Sequence, residues 1–136
     1  MLIDLEVLYF LHHGEPPIHR YLHTCIGGVA MGFVAGISLF AAHGIWIRYR
    51  PRWIPWEERQ RLMPRPKLLR DSVAGGLLGG VSHILLDSCM HHDMHPMWPF
   101  ARGNPLAGII SVNTLHISLA LVGFFGLIFW LLLREA

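Results

Sequence analysis

The chain has 136 residues, 53% of them hydrophobic and only 15% charged, with a mean hydropathy of +0.43, whereas a soluble domain carries about a quarter of its residues as charges. That balance excludes an ordinary soluble globule and argues for a chain dissolved in a bilayer. The formal net charge of +2 is small and its basic residues sit together, which points to membrane topology and away from nucleic acid.

Taken in chain order, residues 1–20 come first, and their opening Met1-Leu2-Ile3-Asp4-Leu5-Glu6 carries acid where a secretory signal would carry base. The apolar run to Leu11 is too short to cross a bilayer and holds Asp4 and Glu6, so an interfacial or re-entrant helix is expected there. Pro16-Pro17 marks a helix start ahead of His19 and His23. Cys25 to Ile47 is the first apolar stretch near the roughly 20 residues a span requires, which places a first transmembrane helix over residues 21–47. Eight of the eleven Lys and Arg residues fall between Arg48 and Arg70, punctuated by Pro51, Pro55, Pro64 and Pro66. Residues 48–70 therefore read as a basic loop, cytoplasmic by the positive-inside rule and close to anionic headgroups. A second span is expected over 71–91, a His- and Pro-bearing loop over 92–105 on the opposite face, and a third span over 106–133. The expected fold is all-α: a single multi-pass domain of the cytoplasmic (inner) membrane, with three transmembrane helices plus the amino-terminal helix.

Gly28, Gly32 and Gly36 recur every four residues in the first span, and Gly75 and Gly79, with Gly76 and Gly80 beside them, in the second. Small residues so spaced let membrane helices approach closely. An antiparallel register with Gly32 beside Gly79 and Gly36 beside Gly75 would set Thr24 beside Asp87 and His23 next to it. The same register brings Cys25 within a turn of Cys89, where an oxidising face would allow one disulfide.

Ten histidines are a marked excess in a chain this apolar. Eight of them fall toward one face: His12, His13, His19 and His23 at the start of the first span, and His83, His91, His92 and His95 at the end of the second. Asp4, Glu6, Asp87 and Asp93 fall there too. His43 and His116 lie apart, at depths where a histidine ordinarily satisfies a hydrogen bond. His83, Asp87 and His91 share one helix face, within about 80° of one another. Neighbours in that series can hold one ion, but His83 and His91, about 12 Å apart along the axis, cannot easily share it, so Asp87 is the residue able to bridge two. A carboxylate in the last turns of a span is costly to keep without a role. With the similarly spaced His19 and His23, these residues form a mixed nitrogen and oxygen set suited to a divalent metal, zinc first, with manganese and iron also accepting such donors.

The string His83-Ile84-Leu85-Leu86-Asp87-Ser88, with the loop ending Pro96-Met97-Trp98-Pro99-Phe100, resembles the bacterial and archaeal inner-membrane metal-dependent hydrolases of the YdjM type, which are distantly similar to zinc-dependent phospholipase C. Asp4-Leu5-Glu6 and His19-Arg20-Tyr21-Leu22-His23-Thr24 match that family's acidic and His-Arg blocks, in the same order across about 100 residues. The acidic block here lacks its preceding proline and has Glu6 for the second Asp, the His-Arg block is one residue shorter, and an opening histidine-bearing helix is missing. The resemblance implies metal-dependent hydrolysis; the residues expected to hold one or two divalent metals are His19, His23, His83 and Asp87, with Asp4, Glu6 and His91 as further candidates. Asp93, His92 or His95 would act as general acid or base. Arg20 and Arg102 suit a phosphate, so a phosphoester such as a lipid headgroup is the expected substrate. The competing readings are a haem protein, a metal-ion transporter or sensor, and a non-enzymatic membrane adaptor.

Overall fold

A computed structural model describes residues 2–49, 55–63 and 65–135. Its described elements are all helical: α1 (Leu5–His13), α2 (Cys25–Tyr49), α3 (Trp56–Leu62), α4 (Pro66–Met90) and α5 (Val112–Glu135). Three of these, α2, α4 and α5, are long and apolar enough to cross a membrane. A helix of 25 residues measures about 37 Å, more than the roughly 30 Å of a bilayer core. Their side chains are largely exposed, as they must be when lipid is the solvent, and among the described residues of α5 only Leu115 is buried.

The helix limits follow local chemistry. Thr24 caps α2, its hydroxyl accepting the Gly27 N–H at 2.9 Å while donating to the Tyr21 carbonyl, so His23 lies on a turn before the helix rather than within it. Pro66 occupies the first turn of α4, where its missing N–H costs nothing, and the helix starts five residues earlier than apolarity alone suggests. Gly108, at φ 79°, and Ser111, whose hydroxyl accepts the Thr114 N–H at 3.2 Å, delay α5 to Val112. Within the basic segment, α3 forms behind Pro55 with Glu57 and Glu58 in its first turn, where acid complements the helix dipole. Residues 50–54 and 64 of that segment lie outside the described residues.

Helices α2 and α4 make the principal packing seam. Its register differs from the expected one. A side chain added at Gly28 would meet Gly80 and Ile84, one at Gly32 would meet Gly76, and one at Gly36 would meet Ser72 and Val73, whereas Gly75 and Gly79 face open space. The seam therefore runs through Gly76 and Gly80, three residues displaced from the expected pairing. On this register Cys25 lies opposite His83, about 9 Å along the axis from Cys89, and both thiols are free. The expected approach of the two cysteines does not occur.

The apolar core is small: Ile3, Ile84 and Met94, with Leu22 and Met31 packed against them. It pins α1, the turn before α2, α4 and the loop after α4 to one another at a single end of the seam. The Cys25 N–H donates to the Pro96 carbonyl at 2.8 Å, closing that loop over the start of α2.

Candidate metal centre

On α4, His83 and Asp87 stand one turn apart, with His83 Nε2 at 3.2 Å from Asp87 Oδ2. Asp4, at the amino end of α1, brings Oδ1 to 3.1 Å from the same His83 nitrogen. His23, on the turn before α2, completes the group, its Nε2 at 3.8 Å from Asp87 Oδ2 and 3.9 Å from Asp4 Oδ1. These separations straddle the roughly 3.4 Å edge of a tetrahedron of ligands around an ion with bonds of about 2.1 Å. His23 is fully buried and Asp87 nearly so. The four residues can hold a metal ion.

The two imidazole nitrogens carry the clearest sign. Both His23 Nε2 and His83 Nε2 are buried, and neither makes a hydrogen bond among the described residues. Their contacts with Asp4 and Asp87 are close in distance but lack the direction a shared proton needs. Buried polar nitrogens without partners are rare, whereas donors converging on a common point are how a metal is held.

Glu6 stands behind this group rather than in it. Its carboxylate accepts the Tyr21 N–H at 2.6 Å on Oε1 and the Leu22 N–H at 2.8 Å on Oε2. It also meets His23 Nδ1 at 3.1 Å; since a carboxylate only accepts, Nδ1 carries the proton and Nε2 keeps its lone pair toward Asp4 and Asp87. Carboxylate, histidine and ligand point form the chain that orients metal-binding imidazoles generally. Burial pushes the His23 imidazole below its ordinary pKa, with His19 adding to the effect and Glu6 and Asp87 opposing it. The neutral, ligating form is thereby favoured near pH 7.

A second cluster adjoins the first. His19 Nδ1 lies 2.9 Å from Asp93 Oδ2, and the His19 ring packs at 4.2 Å from that of His91 and at 4.7 Å from that of His23. Burial, and then His19, push the His91 imidazole down. Burial alone would raise the Asp93 carboxyl, but the hydrogen bond and charge of His19 outweigh it and leave the group below the usual carboxylate range. His91 is placed by the end of α4, where Asn104 Nδ2 donates to the carbonyls of Ser88 and His91, each at 2.8 Å. Asn104, like the buried Met94, escaped the sequence reading, because a capping amide and a loop methionine look like many others until the chain turns back.

A cavity of about 260 Å³ opens beside His19, lined also by Pro17, Arg20, Tyr21, His95 and Trp98. The Gly103 N–H donates to His95 Nδ1 at 3.0 Å, which fixes the proton of a neutral His95 on Nε2. Arg20 is largely committed to its own loop: it donates to the carbonyls of Pro17 and Glu15 at 2.8 and 3.0 Å and lies over the Phe10 ring at 3.8 Å. His92 is exposed, with its ring near Gly108. His12 and His13 are also exposed, and Arg102 is exposed and does not line the cavity. His43 donates to the Leu62 carbonyl at 3.0 Å and His116 to its own helix at Val112, 2.8 Å away. Neither belongs to either cluster.

Comparison with family models, curated proteins and solved structures finds no match to this chain.

Proposed function

We propose that this protein is a membrane-embedded hydrolase that depends on a divalent metal, zinc first, held by Asp4, His23, His83 and Asp87. The observation that carries the reading is the pair of buried Nε2 atoms of His23 and His83, which make no hydrogen bond among the described residues and converge with two carboxylate oxygens. Two nitrogens and two oxygens at such separations suit zinc best among the divalent ions, with manganese and iron accepting the same donors. A metal bound there supplies Lewis acidity and lowers the pKa of water close to it.

The rest is done by side chains of this chain. Glu6 holds the His23 tautomer and orientation. His95, protonated on Nε2, can donate that proton to a leaving group in the adjoining cavity. Tyr21 and Trp98, whose rings meet edge to face at 5.7 Å, give the cavity an aromatic wall suited to the apolar part of an amphipathic substrate, while the Arg20 guanidinium on its lining offers charge to a phosphate. A phosphoester at the membrane interface, such as a lipid headgroup, is the substrate this lining favours. The order of the acidic, His-Arg and His-x-x-Leu-Asp-Ser blocks, resembling the YdjM-type hydrolases, supports the same reaction class.

The test is metal analysis of the detergent-purified protein together with hydrolysis of bis(p-nitrophenyl) phosphate and of phospholipid in mixed micelles. Wild type should hold stoichiometric metal and hydrolyse a phosphoester in a chelator-sensitive way. Asp87→Asn should lose most of both while keeping its helical content. A wild-type protein without stoichiometric metal, or an Asp87→Asn protein with metal and hydrolysis unaltered, would sink the proposal. Metal binding without hydrolysis of any phosphoester would favour metal handling instead.

A further inference from the structure

The group of Asp4, His23, His83 and Asp87 has a property awkward for catalysis: four protein ligands fill a tetrahedral ion, and closed four-ligand sites are generally structural, whereas catalytic ones keep a position open. The adjoining cluster has the complementary composition. His19, His91 and Asp93 each offer a ligand atom, all within 4.8 Å of one another. Two nitrogens and one carboxylate oxygen match the three-ligand sets that leave a coordination position for water or substrate. The 2.9 Å between His19 Nδ1 and Asp93 Oδ2 serves a hydrogen bond, but it also equals the edge of roughly 3 Å between adjacent ligands of a six-coordinate ion with bonds of about 2.1 Å.

Placement separates these two uses. His19 lines the 260 Å³ cavity, so an ion held by His19 is the one a substrate in that cavity would meet. The first group has no residue on that lining. The His19 ring packs on both His91 and His23, which makes the two clusters immediate neighbours. Asp87 presents Oδ2 to His23 and His83 and precedes His91 by four residues at the end of α4, so the two clusters share that end of the helix. The ligands arrive from two pieces of chain 72 residues apart or more, the turn before α2 and the end of α4 with the residues after it, fixed by the Thr24 cap, the Asn104 clamp on the end of α4 and the buried Met94. That is more apparatus than a surface His–Asp pair requires.

We propose that His19, His91 and Asp93 hold a second divalent metal, open toward the cavity, and that the two ions form a dinuclear centre in which this second one engages the substrate. The inference rests on the first cluster being a metal site. In two-metal sites the ions stand about 3.5–4 Å apart and clamp the attacking and leaving oxygens of a phosphoester.

Metal stoichiometry decides it. Purified wild type, Asp93→Asn, His91→Ala and Asp87→Asn are stripped, reloaded with zinc or Mn(II), freed of excess ion and analysed for metal per chain, with Mn(II) electron paramagnetic resonance in parallel. Wild type should hold two ions per chain and show an exchange-coupled Mn(II) spectrum. Asp93→Asn, which keeps size and a hydrogen-bond acceptor, and His91→Ala should each hold one and show an uncoupled Mn(II) signal, with helical circular dichroism retained. Wild type holding one ion, lost in Asp87→Asn but kept in Asp93→Asn and His91→Ala, would overturn the second site and leave the first standing. Two ions retained in both variants would overturn it as well. A wild type holding none would remove the first reading and this one together.

Discussion

Glu6→Gln separates a ligand-orienting role from a merely architectural one. Three N–H groups converge on the Glu6 carboxylate: Tyr21 at 2.6 Å, Leu22 at 2.8 Å and His23 Nδ1 at 3.1 Å. An amide offers only one oxygen. If that oxygen faces Leu22 and His23, the Tyr21 N–H meets an NH2 group and loses its acceptor, at a cost of about 1–3 kcal/mol in stability. If the NH2 faces His23 instead, Nδ1 must accept, the imidazole proton moves to Nε2, and the nitrogen aimed at Asp4 and Asp87 can no longer ligate. The first orientation leaves His23 against a neutral amide in place of the carboxylate that raises its basicity, and the second removes its ligand atom, so both weaken metal binding; loss of such an orienting partner generally costs 10–100-fold in affinity, about 1.4–2.7 kcal/mol. Competition against a chromogenic chelator reads the affinity, and thermal unfolding of the metal-free protein in detergent reads the stability. A Glu6→Gln protein less stable but with unchanged metal affinity would refute the orienting role and leave Glu6 as a turn former.

His23 binds its proton less readily in the folded protein than in the unfolded chain, so the metal-free protein should lose stability as pH falls from about 6.5 through the lower folded value, where the unfolded chain takes up the proton first; a melting series from pH 8 to 5 should show a smaller decline in His23→Ala. At the seam, Gly32→Ala pushes a methyl against the Gly76 backbone and should cost about 1–3 kcal/mol, whereas Gly75→Ala meets open space and should gain up to about 1 kcal/mol; equal melting shifts would contradict the register. In a Cys25→Ala, Cys89→Ala background, an impermeant thiol reagent should label Phe100→Cys from outside intact cells and spare Gln60→Cys. The reverse pattern would move the metal centre to the cytoplasmic face.

The three long helices were legible because an apolar run of adequate length has few alternatives, and His83 with Asp87 was legible because a four-residue spacing on a helix leaves little freedom. The glycine seam was harder. Adjacent pairs, Gly75-Gly76 and Gly79-Gly80, offer two faces 100° apart, and spacing alone does not choose. Asp87 could have chosen: at 100° per residue Gly80 lies about 20° from it and Gly79 about 80°, so the face that carries the buried carboxylate is the one that packs. What no periodicity could supply was the distribution of duties among residues outside the spans. Asp4 and Glu6 differ by two positions, yet one reaches His83 and the other supports His23 from behind, because α1 turns them apart. His19 meets Asp93 only because the loop after α4 folds back, held by Asn104 and Met94.

Over Gly28 to Gly36 the backbones of α2 and α4 touch so closely that neither lipid nor water has room between them, which gives the metal centre a floor. Ions held above that floor, as proposed, would exchange only with the compartment onto which their own end opens. The supply of metal to the proposed centre would then be decided by topology: depletion on that side would empty the site however well the other side is stocked.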